Sequence, residues 1–167
     1  MRTTGSGGTG ATNVGRVMGP AGYAVVLMAD VAKGALIGEA AKFMGMPPPW
    51  AFAAALSVVI GHVWPVWLGF RGGKGIGPFL GAWLVLAPLS LAPCLVLALI
   101  LWPWFRKFAM AGLAGISILP SAAWFATGSR SAVVASCGTF ALLLWSHRVN
   151  IRKFAADRFG YGTAPTP

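Results

Sequence analysis

The chain has 167 residues, of which 57% are hydrophobic and only 10% charged. That balance cannot be placed on the surface of a soluble domain of this length, so the solvent must be the lipid bilayer. Thirteen Lys and Arg against three acids give a formal net charge of +10; nucleic acid is excluded as the partner of a chain this apolar, and anionic lipid and phosphorylated substrate take its place.

The N-terminus, residues 1–19, is polar and rich in glycine. It lacks a basic stretch followed by an apolar one, so insertion is expected to begin at the first internal helix. Apolar segments then follow in order: Pro20 to about Phe43, Trp50 to about Leu68, Gly77 to about Ala87, a further segment to Phe105, Ala109 to about Thr127, and Ser131 to about Ser146. The Met46-Pro47-Pro48-Pro49 run makes the sharp connection between the first two. Pro88 and Pro93 divide the apolar run after Gly77 into two short helices. A full crossing needs about 20 residues. The expected fold is therefore all-α, a polytopic membrane bundle of about six transmembrane or partly spanning helices in one domain, residues 1–167.

Charge placement supports that count. With the N-terminus in the cytoplasm, Arg2, Arg16, Arg71, Lys74, Arg106, Lys107, Arg148, Arg152, Lys153 and Arg158 fall inside, and only Lys42 and Arg130 outside. Lys33 lies within a helix, three residues after Asp30, and the two are read as a structural pair. His62 is near the middle of the second helix, where a lone histidine more often bonds a neighbouring helix than does chemistry. Cys94 and Cys137 are read as core residues. Asp30, Glu39 and Asp157 are the only acids, so neither a carboxylate pair nor a metal cluster is expected.

Three polar segments share the inner face. The first, Gly5 to Arg16, lies just before a helix and carries glycines that let the backbone approach an oxyanion, hydroxyls at Ser6 and Thr9, and the Arg16 guanidinium. A floppy tail has the same composition. The second, Phe70-Arg71-Gly72-Gly73-Lys74-Gly75-Ile76-Gly77, has the chemistry of a phosphate loop without the spacing or trailing hydroxyl of the nucleotide P-loop. A plain positive-inside turn remains the alternative there. The third is His147-Arg148-Val149-Asn150-Ile151-Arg152-Lys153. If the last helix continues, His147 and Asn150 share one face and Arg148 and Arg152 another, which meets lipid head groups; a basic membrane anchor would explain the arginines alone.

Taken in order, these motifs carry a resemblance. Gly-Ser-Gly-x-x-Gly-x-Thr-Asn-x-x-Arg, Asp30-x-x-Lys33-Gly34, Gly61-His62-x-x-Pro65 leading to Phe70-Arg71-Gly72-Gly73-Lys74-Gly75, and His147-Arg148-x-Asn150-Ile151 are similar to the bacterial acyl-phosphate:glycerol-3-phosphate acyltransferases, the PlsY family. The resemblance implies transfer of a fatty acyl group from acyl phosphate to the 1-hydroxyl of glycerol 3-phosphate, giving lysophosphatidic acid and phosphate, with no metal or coenzyme. It implies a multi-pass protein of the bacterial inner membrane with its site facing the cytoplasm, and an upstream enzyme that forms the acyl phosphate. Ser6, Gly7, Gly10 and the Gly72, Gly73, Lys74, Gly75 loop would cradle the acyl phosphate, with Lys74 neutralising the leaving phosphate. Arg16, Lys74, His147 and Asn150 would hold glycerol 3-phosphate, and Asn13 would brace the first loop; Ser6, Lys74 and His147 are the expected catalytic groups. The family has one more membrane helix ahead of its first motif than this sequence shows. Gly8, Pro78, Ala109 and Gly112 also depart from its pattern. The alternative is a catalytically impaired paralogue that binds lipid or a phosphate ester.

Overall fold

A computed structural model describes residues 9–160, and every ordered element among them is helical. The helices are α1 (Ala11–Phe43), α2 (Pro48–Val63), α3 (Ile76–Leu86), α4 (Pro88–Phe105), α5 (Phe108–Ile116), α6 (Leu119–Thr127), α7 (Arg130–Ser146) and α8 (Arg148–Phe159). A short 3-10 turn, Val66–Leu68, follows α2.

Three of these segments are long and apolar enough to cross a bilayer, namely α1, Pro48–Leu68 and α4. Two bent pairs raise the count to five if each is a single span: α5 with α6, at 45°, and α7 with α8, at 62°. The sixth apolar piece, α3, has 11 residues, or about 16 Å, roughly half the hydrocarbon thickness. About six crossing or partly crossing helices is thus the architecture, as expected.

Several boundaries differ from the sequence reading, each for a local reason. Helix α1 begins at Ala11, nine residues before Pro20, and passes through a kink where Gly19 takes φ 73° and ψ −170°. Glycine adopts that conformation without a Cβ penalty, and Pro20 cannot donate back to Arg16. Asn13 and Arg16 accordingly stand on a helix and not in a loop. The segment expected from Ala109 to Thr127 is broken at Ser117, because Pro120 in the first turn of α6 has no N–H for the carbonyl of Ile116. The last helix does not continue past Ser146: His147 ends α7 and starts α8.

In lipid there is little hydrophobic drive between helices, so close backbone packing has to supply the cohesion. Helices α1 and α3 supply most of it, making the most extensive helix pairing in the bundle. A Cβ on Gly34 would stand 2.0 Å from the Pro78 carbonyl oxygen, and one on Gly81 would stand 1.9 Å from that of Val31. The two backbones touch because neither residue has a side chain. Around this seam Phe52, Val59, Phe79, Trp83 and Leu143 fill the centre, while Val25, Met28, Leu36, Leu99 and Val134 lie on the outside, where lipid is their solvent.

Candidate active site

The chain comes back on itself after α2. Gly69 and Phe70 take left-handed conformations in succession, φ 61° and 59°, and the following strand of loop runs beside the end of α2. There the Gly72 amide donates to the Val63 carbonyl and the Gly73 amide to the His62 carbonyl, each at 3.1 Å. A Cβ on Gly72 would lie 2.0 Å from the His62 carbonyl oxygen, so no other residue fits. Gly75 then enters α3 in the left-handed conformation, φ 88°, as its N-cap. The expected role of these glycines is therefore refined: the Gly72 and Gly73 amides are engaged by α2 and hold the loop in place. The donors left without an intrahelical partner are those at the start of α3.

Lys74 lies between these features, and three helix N-termini meet at it. One is that of α3 itself. A second is α1, whose N-cap Gly10 lies against the loop, its Cβ position 3.4 Å from Gly73 Cα and 4.0 Å from Lys74 N. The third is α8, whose N-cap His147 feels the charge of Lys74; just before it Ser146, the last residue of α7, donates its hydroxyl to the Lys74 carbonyl at 2.8 Å. Each N-terminus carries orphan amides and the positive end of a helix dipole, which together favour an anion.

The side chains add charge of the same sign. Burial lowers the pKa of Lys74 from the ordinary 10.5, and the neighbouring cations Arg16 and Lys153 lower it further. The three acids are placed elsewhere: Asp30 holds Lys33 at 2.9 Å, Asp157 pairs with Lys107, and Glu39 lies toward the far end of α1. A cluster of Arg16, Lys74 and Lys153 with no carboxylate among them is short of one or more negative charges, which a phosphate ester supplies.

His147 has a defined tautomer. Its Nδ1 lies 2.9 Å from the Leu143 carbonyl and 3.1 Å from Ser146 Oγ, and since a carbonyl only accepts, Nδ1 carries the proton. That leaves Nε2 as the free acceptor. Helix α8, with Arg148, Arg152, Lys153, Asp157 and Arg158, is too charged for hydrocarbon, so the membrane segment ends at Ser146 and His147 stands at the interface. Burial pushes its pKa down to about 4, and the imidazole is neutral at neutral pH.

Other expected residues fall as follows. Asn13 is buried, 2% exposed, in the first turn of α1, with its amide donated to the Gly10 carbonyl. Asn150 is in the first turn of α8, past the 62° bend, so it and His147 do not share the face of one continuing helix. Arg148 is exposed and stacks over the Trp145 ring at 3.9 Å. Ser6 and Gly7 lie outside the described residues. Two residues stand closer to Lys74 than the sequence reading suggests: Ser146, which ties the loop to α7, and Lys153, read only as part of the basic third segment. A helical reading of Arg148–Phe159 puts Lys153 in the second turn of α8; nothing in the sequence points to Ser146.

The cations reach the same end of the bundle from several elements, because Lys107 pairs with Asp157 and Phe105 packs on Phe154 at 5.6 Å, tying the α4–α5 corner to α8. Fold and site together define a membrane-embedded helical protein with a cationic centre at one end of the bundle. Its relatives are of one kind. The profile of the family described as glycerol-3-phosphate acyltransferase matches residues 1–157. The glycerol-3-phosphate acyltransferase of Methylorubrum populi is 41% identical over 160 residues, covering 96% of this chain and 78% of that protein. That of Parasynechococcus marenigrum is 39% identical over 166 residues, covering 99% and 76%. Among solved structures, PlsY, an integral membrane glycerol 3-phosphate acyltransferase in its glycerol 3-phosphate form, superposes with a TM-score of 0.84 at 28% identity, over 94% of this chain and 79% of that one. The chain belongs to the glycerol-3-phosphate acyltransferase family.

Proposed function

We propose that this protein transfers a fatty acyl group from acyl phosphate to the 1-hydroxyl of glycerol 3-phosphate, releasing lysophosphatidic acid and inorganic phosphate. Acylation of glycerol 3-phosphate, a step of phospholipid synthesis, follows from family membership; the acyl phosphate donor is the finer step. The observation that carries it is the convergence of three helix N-termini with Arg16, Lys74 and Lys153 at one membrane interface. Such a centre suits a reaction in which acceptor and leaving group both bear phosphate while the acyl chain stays in lipid. The excess of cations on this face supports an orientation toward the bacterial cytoplasm, where an upstream enzyme that makes acyl phosphate would supply the donor.

In this reading the hydroxyl oxygen of glycerol 3-phosphate forms a bond to the acyl carbonyl carbon, the carbon–oxygen bond to phosphate breaks, and phosphate departs with its charge met by Lys74. Acyl phosphate is a mixed anhydride with a good leaving group, so positioning and electrostatic stabilisation carry the catalysis. Arg16, His147 and Asn150 hold the acceptor, Asn13 braces the α1 end of the centre, and Ser6, Gly7 and Gly10 belong to the donor side. A His147 with a pKa of about 4 is a weaker base than a phosphate monoester, whose second pKa is about 6. The hydroxyl proton therefore goes to phosphate, and His147 helps to hold the acceptor without taking that proton.

A donor series tests the assignment: purified protein with glycerol 3-phosphate is given palmitoyl phosphate or a palmitoyl thioester. Product from the phosphate alone is expected, and product from the thioester alone would remove the donor assignment. A pH profile adds a second check. Lys74 is charged below its pKa and neutral above it, so kcat/KM is expected to fall, as pH rises, at a pH below the ordinary lysine value of 10.5. Lys74→Arg stays charged throughout and is expected to move that alkaline limb upward; coincident limbs would show that another group sets it.

A further inference from the structure

Below the loop that carries Lys74 is a buried polar pair that the acyl-transfer reading does not use. Asp30, 6% exposed on α1, has Lys33 Nζ at 2.9 Å and His62 Nδ1 at 3.5 Å. His62 stands on the last turn of α2. Its other ring nitrogen meets the loop: a Cβ on Gly73 would be 2.0 Å from Nε2. The Gly73 amide is held by the His62 carbonyl at 3.1 Å, and Gly73 Cα in turn lies 3.4 Å from where a Cβ on the α1 N-cap Gly10 would stand. Ring, loop and helix cap are thus in successive contact, with the carboxylate at the far edge of the ring.

A carboxylate inside a membrane helix is costly and needs a partner. Lys33 alone meets that need, since its side chain is 58% exposed and can reach outward from the pair. The histidine is therefore surplus to neutralising Asp30. What the contact does is fix the ring plane, and a fixed ring fixes how far Gly73 can descend toward α2.

Building on the phosphate-site reading above, we propose that Asp30 and His62 are positioning residues: the Asp30 carboxylate orients the His62 imidazole, and the imidazole edge sets the height of Gly73, so that Lys74 and the first amides of α3 are held at the distance a phosphate requires. Neither residue touches substrate in this arrangement.

The experiment uses the full chain, purified in detergent, with inorganic phosphate as the probe. Phosphate affinity is measured by calorimetry, and kcat and KM for glycerol 3-phosphate alongside it. His62→Ala is expected to weaken phosphate binding and lower kcat about 10- to 100-fold, the scale of a displacement near 1 Å. Gly73→Ala, whose methyl collides with Nε2, is expected to lose more. The double variant His62→Ala/Gly73→Ala is expected to bind phosphate better than Gly73→Ala, because the methyl occupies room vacated by the ring. Asp30→Asn, which keeps the volume of the side chain and removes its charge, is expected to show the same kcat loss in milder form while retaining the melting temperature. His62→Ala with unchanged phosphate affinity, or a double variant with strictly additive losses, overturns the strut. A wild-type protein that binds no phosphate overturns the site reading beneath it, and the two failures are told apart by that one measurement.

Discussion

Replacing Lys74 with alanine is expected to lower kcat for acyl transfer about 100- to 1,000-fold, the range seen when one donor to a developing negative charge is removed from an active site. The charge of Lys74 is the one placed at the meeting point of α1, α3 and α8, with Arg16 and Lys153 as its nearest cationic neighbours. Both of these are on helices that end or begin at the centre. They bring attraction to any anion but do not sit in the loop itself. Folding is expected to survive the substitution, because the contact that ties the loop to α7 is made by the Lys74 carbonyl, which alanine retains. Lys74→Arg is expected to recover part of the rate, keeping the charge while changing its geometry. Steady-state kinetics with a melting curve for each variant separates the loss of chemistry from the loss of structure.

The second large effect is on stability. Gly81→Ala is expected to destabilise the protein by about 3 kcal/mol, the upper part of the range for overpacking, and Gly81→Leu is expected to prevent assembly of the native bundle. A Cβ at Gly81 would stand 1.9 Å from the Val31 carbonyl oxygen and 2.7 Å from Ala35 N. Both are backbone atoms of α1, so the clash cannot be relieved by a rotamer change. The consequence reaches the site, since the same pair of helices brings Asp30 against Gly77, where a Cβ would be 2.6 Å from the Asp30 Cβ. Chemical denaturation of the detergent-solubilised protein checks the value. A Gly81→Ala protein as stable as wild type would mean that the α1–α3 seam is looser than it stands here. Gly112, which has open space around it, serves as the control: Gly112→Ala is expected to be neutral or slightly stabilising, because alanine favours the helix.

Much of this architecture could be read from the residues in order. Apolar length and the Pro88 break give the ends of α3 and α4 nearly to the residue, although α4 runs through Pro93 and is a full-length span, not a short helix; the Asp30–Lys33 spacing gives an ion pair that the structure contains at 2.9 Å. His62 Nδ1 lies 3.5 Å from the Asp30 carboxylate on the neighbouring helix α1, a proximity that spacing alone does not show. The two misplaced boundaries have separate causes. Gly19-Pro20 reads as a helix start, whereas α1 runs through the pair with one residue, Gly19, out of the helical region. The break at Pro120 was overlooked because the surrounding residues are uniformly apolar, and periodicity cannot mark a turn in a segment with no polar face.

The site was legible in kind and less so in mechanism. Glycines at Gly72 and Gly73 suggested amides aimed at phosphate, and the structure commits those two amides to α2 instead. Glycine allows close approach of any backbone, and sequence cannot tell whether the approaching group is a ligand or another helix. The convergence of three N-termini is likewise a tertiary fact. His147 as a helix-breaking residue, with its Nδ1 turned back on Leu143, depends on a bend between α7 and α8 that no local residue announces.

The central claim is that the cationic centre around Lys74 transfers an acyl group from acyl phosphate to glycerol 3-phosphate, and the most direct measurement of it is product stoichiometry. Purified protein in lipid nanodiscs is given palmitoyl phosphate and radiolabelled glycerol 3-phosphate, and lysophosphatidic acid and inorganic phosphate are quantified together for wild type and Lys74→Ala. One phosphate released for each lysophosphatidic acid formed, with both signals lost together in Lys74→Ala, is the predicted result. Phosphate release without acylated product, or equal product formation by Lys74→Ala, would contradict it.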